Sequence, residues 1–242
     1  MADIVPDEPN MVQTGIVDLP DDLHDLWLRY LKQEARGVRK VALRTLRQFT
    51  AALRAVDPSL RNRWAQEFLR QKLEEGQNIP LRNPLFEEVL FPLLADGYRS
   101  GDCRAAKWLA QLAQVLIHAR SCWQALGCPS DAELWREAYR RNSDDEEARK
   151  GLIDVIASYV RHTLHELPAG VLLGMNGATP DECIALQDGL GEFRSLIRES
   201  ERDRYADLIT NAEFHYQAYR DYALERARYE SYAHFLAIRG GR

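Results

Sequence analysis

An all-α fold follows from three features of this 242-residue sequence. Apolar residues recur at intervals of three and four, the spacing that places them on one face of a helix. Alternating β-branched runs bounded by turns, the signature of half-buried strands, are nearly absent. Capping residues stand where the periodic segments begin and end, with Ser, Thr or Asp before them and Gly after them. At 45% hydrophobic and 29% charged, the composition is globular, and the chain is long enough to bury a core in one large or two small domains.

Residues 1–18 read as a flexible arm punctuated by Pro6, Pro9 and Gly15. Residues 19–242 read as a single helical domain of about nine helices, with a sub-boundary at 74–84. Its helices are expected to pair antiparallel in an irregular, repeat-like array. The first opens at Asp21 or Asp22, after Pro20, and carries Leu23, Leu26, Trp27, Tyr30 and Leu31 on one side. The second covers 36–56, with Val38, Ala42, Leu46, Phe49, Leu53 and Val56 on its apolar face and Arg36, Lys40, Arg44, Arg47 and Arg54 opposite. Pro58 opens a third, with Trp64, Phe68 and Leu69 inward. Beyond the loop at 74–84 come a helix kinked at Pro92 that ends near Gly101, and another that ends near Gly127. Two more are capped by Ser130 and by Ser143 or Asp144. The turn-rich stretch 168–180 suits a short hairpin, Thr179 and Pro180 open the next helix, and a long aromatic helix covers 202–237.

Several function classes are disfavoured. No apolar run approaches the roughly 18 residues that span a bilayer. The first 27 residues hold seven acids and no Lys or Arg, unlike a signal peptide. A cytoplasmic protein without membrane contact is the expectation. Cys103, Cys122, Cys128 and Cys183 lack metal-ligand spacing and read as reduced thiols. No activated Ser or Cys nucleophile and no glycine-rich phosphate loop stands out, so neither enzyme activity nor a cofactor is expected.

The stretch SYVRHTLHELP (158–168) raises the question of metal chemistry. His162 and His165 stand three apart, about 60° apart in helical projection, and no third ligand is set by the sequence. A helix C-terminus favours cationic His, so a helix-end role is the simpler reading.

Two stretches carry a family resemblance. LWREAYRRNSDDEEARKGL (134–152) resembles the turn between tetratricopeptide repeats, and GYRSGDCRAAKWLAQL (97–112) the turn within one. Segments such as HELPAGVLLG, with the helical layout, are similar to small helical bacterial immunity proteins that neutralise secreted toxins. Another all-α resemblance is to haem-oxygenase-like di-iron oxidases, for which Glu87, Glu88, His118, His162, Glu230 and His234 would supply ligands.

The immunity-like resemblance implies a non-catalytic, antitoxin-type protein that binds and occludes another protein, such as a basic toxin domain. Two surfaces are expected to serve it: the acidic block Asp144, Asp145, Glu146 and Glu147, and the tyrosines Tyr216, Tyr219, Tyr222 and Tyr229. Tyrosine stripes also bury readily, and acids favour a helix's first turn, so both sets have a purely structural reading. The basic stripe Arg36, Lys40, Arg44, Arg47 and Arg54 suits an acidic partner or, in a nucleic-acid-associated regulator, phosphates; its purely structural reading is a solvated helix face paired with the acidic residues of 1–27. The net charge of −5 and the absence of interleaved aromatics disfavour nucleic acid.

Overall fold

The computed structural model describes residues 19–169 and 178–240, and every described element is helical. The expected arm at 1–18 and most of the expected hairpin at 168–180 lie outside the described residues. The chain divides into two compact units, Met1–Arg141 and Asn142–Arg242. The loop at 74–84 falls inside the first, and the repeat-like stretch 134–152 straddles the division.

The first unit opens with α1 (Asp21–Ala35) packed along α2 (Arg39–Ala55). Gly37, at φ 70°, makes the left-handed turn between them, a conformation in which a Cβ is strained. The turn shortens the helix expected over 36–56: Arg36 caps α1, and Val38 stands before α2 at 43% exposure, not on an apolar face. Asp57 caps α3 (Pro58–Leu69) by accepting from the Ser59 N–H at 2.8 Å. Trp27 sits at the centre of this region, with its ring 5.1–5.9 Å from those of Phe49, Trp64 and Phe68. These aromatics are almost fully buried, each worth roughly 1.5–3 kcal/mol in burial alone.

After α4 (Asn83–Leu85), a π-helical turn spans Phe86–Leu90 and leads into α5 (Phe91–Ser100). Pro92 has no N–H to donate and its ring crowds the carbonyl four residues back, so the widened turn just before it is the form the predicted kink takes. Gly101, at φ 90°, ends α5, and Asp102 caps α6 (Cys103–Gln111). A Cβ added at Gly97 would lie 2.7 Å from that of Ala105, so the glycine sets how closely α5 and α6 approach. The helix expected to run on to Gly127 is instead three, α6, α7 (Ala113–His118) and α8 (Arg120–Ala125), with breaks at Leu112 and Ala119. Ser130 and Glu133 bond reciprocally at the start of α9 (Asp131–Arg141), the expected cap.

The second unit is built on α10 (Glu146–Glu166), α11 (Pro180–Leu196) and α12 (Arg202–Leu224), which pack on one another. The cap of α10 is Asp145, one residue beyond the expected positions; its carboxylate accepts from the Glu147 and Ala148 N–H groups at 3.0 Å. Thr179 and Glu182 form the expected cap of α11 as a reciprocal pair, at 2.7 and 3.2 Å. The helix expected over 202–237 breaks after Leu224, and α13 (Tyr232–Gly240) returns against α12. In a single straight helix Tyr219 and Tyr232, thirteen residues apart, would lie about 20 Å from each other along the axis. The break brings Tyr232 to 4.9 Å from Tyr219 and 5.6 Å from Tyr222, ring to ring. These breaks, with those at Leu112 and Ala119, raise the number of helices above the expected nine.

Candidate docking surface

The outward face of α2 carries charge of one sign, since the helix contains no acidic residue. Lys40, Arg44, Arg47 and Arg54 fall within roughly 80° of the helix circumference, since each residue turns the helix by about 100°. Arg36 precedes them in the turn, and all five are exposed. Opposite them Ala42, Leu46, Phe49 and Leu53 are fully buried and fix the rotation of α2, so the cations have no inward option. Val41, on the flank, is 47% exposed beside them.

Most of these cations differ from Arg82, Arg104 and Arg141 of the same unit in having no matched carboxylate among the described residues, a state shared by Arg29, Arg39, Arg63 and Arg120. Arg82 grips Glu34 through two bonds of 2.7 and 3.1 Å. Arg104 grips Glu74 through two of 2.7 Å and lies 4.7 Å above the Trp108 ring, while the Trp108 indole N–H donates to the same Glu74. Arg141 pairs with Glu137 at 2.7 Å and donates to the Tyr98 and Asp102 carbonyls. Among the described residues, Arg36, Lys40, Arg44 and Arg47 make no ion pair, and Arg54 makes one at 3.5 Å, to Glu88. Arg54 also borders a cleft of about 740 Å³ whose walls include Arg61, Glu87, Pro92, Leu93 and Trp108. The pattern of the sequence revealed the stripe, but not the cleft, which needs the fold to bring α3, α5 and α6 together.

The other expected surfaces serve structural ends. Glu146 holds Arg149 through bonds of 2.6 and 3.0 Å and meets Arg198 at 2.7 Å. Arg149 is 4% exposed and also bonds Glu201 and the Leu196 carbonyl, so it ties α10 to the end of α11 and the start of α12. Its guanidinium holds the carboxyls of Glu146 and Glu201 down to about 2. With Asp145 committed to the cap, Asp144 and Glu147 are the outward members of that block.

Three of the four tyrosines assigned to a surface are interior: Tyr216, Tyr219 and Tyr222 are 0%, 2% and 5% exposed, Tyr216 against Thr163 of α10 and Tyr219 and Tyr222 against Tyr232 of α13, and Tyr229 is half-buried. The Tyr216 hydroxyl shares a 2.5 Å hydrogen bond with Thr163, and burial pushes its pKa up to about 12.

The histidines of SYVRHTLHELP are exposed at the end of α10, and His162 Nε2 lies 3.2 Å from Glu166 one turn on. Among the described residues, no three His, Cys, Asp or Glu are grouped to hold a metal ion. In the sequence-matched pair Glu230 and His234, the Glu230 backbone N–H donates to His234 Nδ1 at 3.3 Å. Cys122 and Cys183 are buried, with the Cys183 thiol pushed up to about 11, and Cys103 and Cys128 are exposed. No helix among the described residues is long and apolar enough to cross a membrane. Comparison with models of known families, with curated proteins and with solved structures finds no match to this chain.

Proposed function

We propose that the chain is a non-catalytic, immunity-type binding protein that occludes a partner protein, and that it engages that partner through the cationic face of α2. The observation that carries this reading is the row of exposed cations on one helix face: among the described residues Arg36, Lys40, Arg44 and Arg47 make no ion pair and Arg54 one at 3.5 Å, whereas Arg82, Arg104 and Arg141 are paired at hydrogen-bond distance. Solvated cations cost little to present and attract an acidic surface over a Debye length of about 8–10 Å, which speeds association. The exposed Val38 and Val41 add apolar contact at the start of the row. Occlusion needs steric cover and charge complementarity, and no catalytic group. The resemblance to immunity proteins supports the same class, with the polarity reversed relative to a basic toxin: the partner meets this face with acids.

The test is affinity capture from the native cells with wild type and an Arg44→Glu, Arg47→Glu variant, with and without nuclease. A stoichiometric protein that survives nuclease and is lost from the variant is the expected result. Retention abolished by nuclease would move the assignment to nucleic acid. Equal capture by both forms would remove α2 from the interface.

A further inference from the structure

We propose that the cationic face of α2 also docks the outer face of α11 from a second copy of this chain. The inference rests on α2 being a docking face and adds what sits on it. Lys40, Arg47 and Arg54 recur at intervals of seven residues, and so do Asp181 and Asp188 on α11. Seven residues are nearly two helical turns and a rise of about 10.5 Å, so each set forms a straight row along its helix. All five side chains are exposed. Among the described residues, Lys40, Arg47, Asp181 and Asp188 make no ion pair, while Arg54 meets Glu88 at 3.5 Å, so the uncommitted charges are two on each row.

Two helices laid side by side share one rise per residue, and equal spacings therefore match along the whole contact. A parallel register that sets Asp181 beside Lys40 sets Asp188 beside Arg47. The antiparallel register exchanges the partners and matches as well. Ile184, 37% exposed and three residues after Asp181, adds an apolar side chain at the α11 row. Longer-range attraction acts in the same sense. Residues 28–82 hold 13 basic and 5 acidic residues, whereas residues 131–200 hold 14 acidic and 8 basic ones. A second copy docked in this way covers the face that the proposed partner uses, so self-association and partner binding compete.

The test is sedimentation velocity of the purified full chain at ~0.05 M and ~0.5 M salt, a range over which exposed charge pairs go from weakly to strongly screened. Concentration-dependent association that weakens with salt is expected. Lys40→Glu with Arg47→Glu, and separately Asp181→Lys with Asp188→Lys, should each weaken it roughly tenfold or more, because like charges then face each other. An equimolar mixture of the two variants should associate again, since each reversed row meets its complement. The neutral pair Lys40→Gln, Arg47→Gln should weaken association by less and serves if a reversal disturbs folding. Three results would overturn the proposal: wild type monomeric at both salts, association that survives both reversals, or a mixture that stays monomeric. Monomeric wild type together with partner capture that depends on Arg44 and Arg47 would leave the docking face standing and give it to another protein alone.

Discussion

All five tryptophans lie in the first unit, while seven of the ten tyrosines lie in the second, and the two cores are built accordingly. In the first, Trp27 and Trp64 lie within 6 Å of each other and of both Phe49 and Phe68, ring to ring, and the indole N–H groups of Trp27 and Trp64 find no acceptor among the described residues. In the second, the buried side-chain polar atoms of the described residues have partners. Tyr216 shares a hydrogen bond with Thr163, Tyr232 OH lies 2.8 Å from His215 Nδ1, and Arg149 is held by two carboxylates and a carbonyl. One core depends on apolar area and accepts the desolvation cost of two donors; the other depends on pairing, where a lost partner leaves a costly orphan.

The largest effect should therefore come from area. Trp64→Ala is expected to destabilise the first unit by about 3–5 kcal/mol through lost transfer energy and a cavity amid the three aromatic side chains Trp27, Phe49 and Phe68. Trp64→Phe should cost much less, because the unpartnered N–H leaves together with the extra ring. Denaturant unfolding followed by tryptophan fluorescence reads the first unit alone, since the second contains no tryptophan. Equal losses for the two variants would break the account of this core.

Next comes the clamp. Arg149→Ala should destabilise by about 2–3 kcal/mol, below the usual cost of breaking a buried pair because Glu146 and Glu201 are partly exposed and regain water. The pH dependence has a definite sign. Arg149 lowers both folded-state carboxyls to about 2, while in the unfolded chain they return to roughly 4.3. Their contribution is present above the unfolded value and is lost as pH falls from about 4.3 toward 2. Far-UV circular dichroism across that window should show a steeper loss of stability for wild type than for Arg149→Ala. Parallel curves would show that the clamp is not the acid-sensitive element of the second unit.

Tyr216→Phe should be milder, about 1 kcal/mol, since it removes one hydrogen bond and keeps the ring buried, while Thr163 Oγ1 retains its bond to the Val160 carbonyl at 2.9 Å. If the loss matched that of Arg149→Ala, the hydroxyl would belong to a larger network than the pair described.

Much of this was legible in the periodicity and caps. The all-α class, the inward faces of α1 to α3 and the caps at Ser130 and Thr179 each rest on residues within one or two helical turns of one another. What was not legible depends on distant residues. The breaks at Leu112, Ala119 and Leu224 carry no Pro or Gly, and the last is explained only by where Tyr219 and Tyr222 await Tyr232. The acidic block read as a surface because Arg149, one turn into the same helix, gave no sign of being buried. Its acceptors on Glu201 and Leu196 are some fifty residues away. The basic stripe was legible because its rotation is set by its own helix, whereas the absence of ion pairs at Arg36, Lys40, Arg44 and Arg47 among the described residues could be known only from the placement of the surrounding carboxylates.

The smallest effect on stability should come from the surface that the proposed function needs most. Arg44 is exposed, makes no ion pair among the described residues, and contributes neither a cap nor a core contact. Surface changes away from such features shift stability by about 0.5 kcal/mol or less, so Arg44→Glu should unfold with wild type. The local electrostatics lean slightly toward a gain. Lys40 stands four residues before position 44, and a carboxylate there would replace a like-charge neighbour with an opposite one, a difference of a few tenths of a kcal/mol, on the order of other pairs at that spacing. Capture of the acidic partner, by contrast, should fall steeply. That combination separates the α2 face from both cores: in either core a substitution that alters function does so by unfolding the protein, and here function goes while the fold remains. A variant that lost stability and binding in proportion would place Arg44 in the architecture and leave the docking face without its central residue.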